Sequence, residues 1–300
     1  MIQSKTGNLE TRKQELWERV LKHRGFGFGA EKVLAEADWE FAQKLEEWIA
    51  FVYLSERYID RREKELIIIG IISSLRSPPE IIHAHISAAV AAGATKEEII
   101  NIIEFVGQWA GIVARDNSLE AWRRAFAPQM PAGIELTLKS DSKNNPDAGI
   151  PSTGPVGRHA ASPDNNAQID REKKEMAKQV HNTRGFGFGL HAILAEADWE
   201  YMKRFEKWVE FVYLSARHLD RRVKELIITG MVGALRGAPE HIKAHIDAGV
   251  KAGSTKEEMI LVAELVGLWA GAVARADVVE AWRRTFAPDL PPVFRPQEAK

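Results

Sequence analysis

KELIIIGIISSL, Lys64–Leu75, is the stretch on which the fold turns, and KELIITGMVGAL, Lys224–Leu235, repeats it 160 positions later. A run this rich in β-branched residues reads either as a buried strand or as a buried helix. No second strand-like run lies nearby to pair with it, so helix is favoured, and a helix apolar on all sides must be covered on all sides. The fold expected is all-α.

The repetition extends well beyond these twelve residues. Sliding the chain by 160 positions aligns Arg24–Pro128 with Arg184–Pro288 without a gap, and roughly three positions in five are identical. The chain is a tandem duplication. Two domains are expected, at 9–130 and 168–292. Between them, residues 131–167 are rich in Pro, Gly, Ser, Asn and Asp and lack apolar periodicity, which reads as a flexible linker.

Each copy carries further helical signals. Thr11–Arg24 has an apolar stripe at Leu16, Trp17, Val20 and Leu21. A second helix is expected from about Ala30 to Tyr53, with Val33, Leu34, Ala37, Phe41, Leu45, Trp48, Ile49 and Val52 on one face. After the buried helix, PPEIIHAHISAAVAAG opens with Pro at a helix start and closes on Gly93 as a C-cap. Thr95 and Glu98 form a capping box for the next helix, and a short one around SLEAWRRAF ends the copy.

Composition limits the function. A length of 300 residues with 45% hydrophobic content suffices for a full core. The formal net charge of −1 gives no basic footprint for nucleic acid or an anionic membrane. The absence of Cys removes disulfides, thiolate metal sites and cysteine nucleophiles. No apolar run suits a membrane span or a secretory leader, so a cytoplasmic protein is expected.

The glycines of RGFGFG (24–29 and 184–189) could suggest a phosphate loop, but a helix precedes them and neither the Lys and hydroxyl of one phosphate motif nor the later acid of the other follows. They read as a C-cap and a reversal between helices, with Phe26 and Phe28 packing into a core or across a subunit boundary. Arg24 and Arg184 are either pocket-rim contacts for a carboxylate or solvated.

The order of YLSERYIDRREKELIIIGIISSL, a turn, IIHAHISAAVAAGATKEEI and IIEFVGQWAGIVA resembles the carboxymuconolactone decarboxylase family, which shares its fold with the alkylhydroperoxidase D-like proteins. The resemblance covers about Ala30 to Phe126 in each copy. It implies an all-α domain in tandem, a small organic acid or lactone as substrate, and trimers or hexamers of single domains. For this chain that becomes a homotrimer with a ring of six domains, the two copies packing about a pseudo-twofold axis. The peroxidase branch carries a Cys-x-x-Cys pair where this chain reads RSPPE and RGAPE, so thiol peroxide reduction is excluded and the cysteine-free decarboxylase branch remains.

Candidate site residues follow from their positions. His85 and His245 sit on the apolar stripe of their helix, as structural core residues or as proton donors; His83, replaced by Lys243, sits off it, although the turn's length leaves open which of the two takes the family histidine's place. Glu65 and Glu225 open the most apolar helix, where a carboxylate either favours the helix dipole or holds a proton after burial raises its pKa. The resemblance places Glu65 on the glutamate of the peroxidase motif. His85/His245 are expected to be catalytic with Glu65/Glu225; Arg115/Arg275 would contact an anion and Trp109/Trp269 would be wall. Glu104 and Glu264, among buried residues, need partners, with Arg115/Arg275 or Arg76/Arg236 as candidates. His241 and His245 at i, i+4 lack a clear third ligand, so no metal is assigned, and decarboxylation of a conjugated acid calls for no cofactor.

Overall fold

The computed structural model describes residues 3–132, 163–187 and 189–293. Among them are fourteen α-helices and no strand. By their contacts the described residues fall into two compact units, one of residues 3–132 with 215–293 and the other of residues 163–187 with 189–214. Most of the stretch read as a linker lies outside the described residues, but its last part does not: a helix already begins at Pro163.

In the larger unit, the first copy contributes α1 (Gln3–Arg24), α2 (Gly29–Ala37), α3 (Trp39–Ile49), a π-helical segment (Ala50–Leu54), α4 (Arg61–Ser74), α5 (Pro79–Ala91), α6 (Lys96–Trp109) and α7 (Ile112–Phe126). The smaller unit holds α8 (Pro163–Arg184), α9 (Gly189–Ala197), α10 (Trp199–Val209) and a π-helical segment (Glu210–Leu214). Within it Arg184 pairs with Glu206, and Asp198 caps α10 by accepting from the Tyr201 N–H at 2.9 Å. The second copy then returns to the larger unit as α11 (Arg221–Ala234), α12 (Pro239–Lys251), α13 (Lys256–Trp269) and α14 (Gly271–Phe286).

The apolar repeats are helices, buried from Lys64 to Ser74 and from Lys224 to Ala234, with the closing Leu75 and Leu235 exposed. Each starts where an Asp side chain accepts an orphan N–H of the first turn, Asp60 from Glu63 at 2.8 Å and Asp220 from Val223 at 2.9 Å. Each is covered by the later helices of its own copy and by the other of the pair. Cβ atoms added at Gly70 would stand 2.9 Å from Ile227 and 3.1 Å from Met231, while one at Gly230 would stand 3.2 Å from Ile67 and Ile71. The two helices therefore meet at reciprocal glycines, which allow the backbones to approach closely. The contact is reciprocal, each helix offering its glycine to side chains of the other.

Two expectations need correction. The helix foreseen from Ala30 to Tyr53 is broken at Asp38, whose backbone is extended and whose side chain accepts from the Phe41 N–H at 2.9 Å. A local side-chain bond to the backbone outcompetes helix continuation, and α2 ends there. Its supposed inner face is also largely outside: Val33 is 69% exposed and Phe41 54%. Of that face Val52 is buried as expected, and the other buried positions are Ala35 and Ala42. The last helix, foreseen as short, runs from Ile112 to Phe126 after a break at Gly111, where φ is 88°.

The capping box of Thr95 and Glu98 and the Gly93 terminus are present as read. So is the reversal at RGFGFG. Gly25 has φ 85°, and a Cβ at Gly27 would lie 2.6 Å from the Trp17 ring. Arg24 is neither a rim residue nor solvated: it is buried between Glu31, at 3.1 Å, and Glu46.

Candidate active site

His85 hangs from α5 and Glu65 from the first turns of α4, and both side chains are 0% exposed. Nδ1 of His85 lies 2.8 Å from Oε2 of Glu65. With Glu65 as a carboxylate, which can only accept, the shared hydrogen belongs to Nδ1 and the nitrogen left open is Nε2. That Nε2 is buried with no hydrogen-bond partner among the described residues.

The other oxygen of Glu65 is held from two directions. Arg61, one helical turn back on α4, donates through Nε at 2.8 Å, and the Tyr53 hydroxyl donates to the same oxygen. Arg61 also donates to the Tyr53 oxygen at 2.6 Å and lies over the Tyr53 ring. Burial, reinforced by the Glu65 carboxylate, pushes the Tyr53 phenol well above its ordinary pKa, so the hydroxyl stays a donor. Glu65 is thus fixed as a hydrogen-bond hub, and His85 is fixed by Glu65.

Rings enclose the imidazole. Phe26, from the glycine-rich reversal, sits 4.9 Å from its centroid at 74°, Tyr53 at 5.9 Å, and Trp269 at 4.8 Å and 85°. Trp269 belongs to the second copy. In the other site His245 lies 2.9 Å from Glu225, Arg221 donates to Glu225 at 2.6 Å, and Trp109 of the first copy stands 6.1 Å from the His245 ring. Each histidine therefore faces a tryptophan of the opposite copy.

Ion pairs across the copies produce this exchange. Glu264 on α13 pairs with Arg57, and Glu104 on α6 pairs with Arg217 at 2.5 Å. The partners expected for these glutamates are corrected accordingly: Arg115 is bound by Asp116 at 2.8 Å and Arg236 reaches Asp277 at 3.4 Å. Neither reading from one copy could see a partner supplied by the other. The guanidinium beside the His85–Glu65 pair is Arg61, and Arg115 and Arg275 stand on the more exposed face of α7 and α14.

Next to the hub, Lys64 is buried and donates to the Ser55 carbonyl; Lys224 does the same to Ser215 at 2.5 Å. Burial, then the guanidiniums of Arg57 and Arg61, pull Lys64 down to about 8. Burial with Arg217 and Arg221 does the same to Lys224, again to about 8.

Among the predicted residues, the structure brings together His85, Glu65 and Trp269, and separately His245, Glu225 and Trp109. His83 is only half-buried and makes no part of the cluster. Sequence reading missed Arg61 and Tyr53. Arg61 had a visible signal, four residues before Glu65 on one helix face; Tyr53, twelve residues away across a turn, had none. No group of three or more His, Cys, Asp or Glu that could hold a metal occurs among the described residues. No helix among them is long and apolar enough to cross a membrane.

Residues 40–124 and 200–284 each match the model of the Carboxymuconolactone decarboxylase family. The fold is similar to that of a crystal structure from Burkholderia xenovorans, a chain named as a gamma-carboxymuconolactone decarboxylase subunit, at 16% identity and a TM-score of 0.59, with 91% of this chain and 98% of that one covered. At that identity the likeness speaks for the fold alone. No curated protein matches the chain.

Proposed function

Starting from the premise that this chain belongs to the carboxymuconolactone decarboxylase family, we propose that it is a cofactor-free lyase that decarboxylates a small unsaturated organic acid or lactone. The observation that carries this reading is the His85 Nε2, buried and without a hydrogen-bond partner while Nδ1 is locked on Glu65. A histidine serving only the core ordinarily has both nitrogens satisfied. One with a fixed tautomer and a free second nitrogen is suited to proton transfer.

The chemistry asks three things of the chain. The bond to the carboxylate breaks, its electron pair moves into the substrate's own conjugated carbonyl, and CO2 leaves. His85, as the imidazolium stabilised by Glu65, then protonates the carbon through Nε2 and regains its proton from solvent. Phe26, Tyr53 and Trp269 supply an apolar wall against which a carboxylate is poorly solvated. Tyr53 and Arg61 keep Glu65 in place, and Glu225 with Arg221 repeats the arrangement for His245.

Because no part of the His85 side chain is exposed, substrate entry requires a ring to swing aside. The same enclosure favours a second reading, an oligomeric binding or scaffold protein whose site has filled in. Incubating the purified chain with a panel of unsaturated lactone carboxylates, and following CO2 release and ring absorbance, separates the two: turnover supports the lyase, and a folded chain inert toward the whole panel supports the scaffold.

Association is part of the same proposal. Val33, Phe41, Trp48 and Phe51 are large apolar side chains left exposed in the first copy. A homotrimer would cover them, and light scattering that reports a single 33.6 kDa chain at micromolar concentration would exclude this.

A further inference from the structure

Two buried polar atoms without partners lie on rings that touch. One is His85 Nε2 and the other is the indole Nε1 of Trp269, and their rings are 4.8 Å apart at 85°. An indole nitrogen can only donate. Left alone in an apolar enclosure, its N–H lowers stability, and a phenylalanine would fill most of the same space without that defect. A donor in this position is useful only when something brings it an acceptor.

We infer that the site is built by both copies, with Trp269 of the second copy donating its indole N–H to an oxygen of the substrate that His85 of the first copy protonates. This deepens the lyase reading and rests on it. The ligand it selects is a small flat molecule with a carbonyl or carboxylate oxygen beside the carbon to be protonated. The oxygen is where negative charge collects as CO2 departs, and a fixed donor there stabilises that charge.

The fold explains why this tryptophan comes from the other copy. Glu264, five residues before Trp269 on α13, is paired with Arg57 of the first copy. That ion pair holds the last turns of α13 against the first copy's site. Glu104 and Arg217 hold the end of α6, with Trp109, at His245 in the same way. A single copy would lack the donor, so on this inference the duplication completes the site as well as covering α4 and α11.

The test uses the full chain with its indoles labelled by 15N and titrated with 2-furoate, a flat ring carboxylate. The Trp269 resonance is identified by its disappearance in Trp269→Phe. The expected result is a saturable shift of that N–H, with furoate binding about tenfold weaker in Trp269→Phe. Furoate that shifts other indoles and leaves Trp269 unmoved overturns the donor assignment, and so does furoate that binds nowhere.

Activity then assigns the partner. Trp269→Phe should lower turnover about tenfold or more in a His245→Ala background, where only His85 works. In a His85→Ala background, where only His245 works, Trp269→Phe should leave turnover unchanged. Equal losses from Trp269→Phe in both backgrounds would overturn the exchange between copies. A folded wild-type chain that decarboxylates nothing defeats the lyase reading, and the furoate titration still judges the donor by itself.

Discussion

His85 and His245 hang from equivalent glutamates at nearly the same distance, 2.8 and 2.9 Å, yet their surroundings differ. One turn before His85 stands Ile81; one turn before His245 stands His241, whose ring is 5.3 Å from that of His245. The tryptophan from the opposite copy is closer in the first site, 4.8 Å against 6.1 Å. The His–Glu pair depends on how two helices cross, which duplication retains whole. Ring packing around the pair depends on single residues, which drift independently. The copies thus share the His–Glu geometry and differ in what encloses it.

The largest effect expected is on catalysis. His85→Ala together with His245→Ala should lower turnover by about 10²–10⁴, since that is what a positioned acid or base commonly contributes. The single variants should be unequal, and His241→Ile should bring the second site's pH profile toward the first. Specific activity measured alongside thermal unfolding checks this; a folded double variant with full turnover would exclude histidine from the chemistry.

Next comes the seam between copies. Gly→Ala within a helix ordinarily stabilises, but at Gly70 the new methyl would meet Ile227 and Met231. Gly70→Ala should instead destabilise by about 1–3 kcal/mol, as overpacking does. Gly230→Ala, whose nearest neighbours stand 3.2 Å away rather than 2.9 Å, should cost less. Urea unfolding in which both variants gain stability would break the comparison.

The buried lysines should behave alike. Each is lowered to about 8 in the folded chain from an ordinary 10.5. Between those values the unfolded chain binds more protons, so stability rises with pH from about 8 upward. Below pH 8 both states are protonated and no slope arises from them. The rise should be on the order of 1 kcal/mol over the first unit. Lys64→Met should remove half of it and the added Lys224→Met the rest, read from urea midpoints between pH 7 and 10. Unequal halves would show that the two environments differ after all.

The smallest effect concerns an asymmetric ion pair. Arg222 bridges Glu258 and, across the copies, Glu63 at 2.7 Å, whereas the position equivalent to Glu63 in the second copy is Val223. Burial raises the Glu63 pKa against the opposing pull of Arg222, so the pair gains little net stability. Glu63→Val, which makes the first copy match the second, should change stability by less than about 1 kcal/mol. A loss several times larger in thermal unfolding would make this bridge a main fastener of the seam.

Much of this was legible in single residues. The duplication shows as plain self-similarity at a fixed offset, and the helical reading of KELIIIGIISSL, the Thr95 capping box and the place of His85 on the apolar face of its helix rest on local periodicity and capping, which act within a few residues. Where local cues competed, the reading failed: Asp38 reads as one polar residue inside a helix, but its side chain caps α3 and ends α2.

By itself the sequence determined the repeat, the all-α class, the exclusion of thiol chemistry and the helices that carry Glu65 and His85. Only the tertiary structure decided the partners. Arg57 with Glu264, Arg217 with Glu104, and Trp269 with His85 join residues 113 to 207 positions apart. Spacing along a chain carries information about neighbours one or two turns away. Which copy supplies a side chain is settled by the packing of α4 against α11, and that depends on every residue in the seam at once.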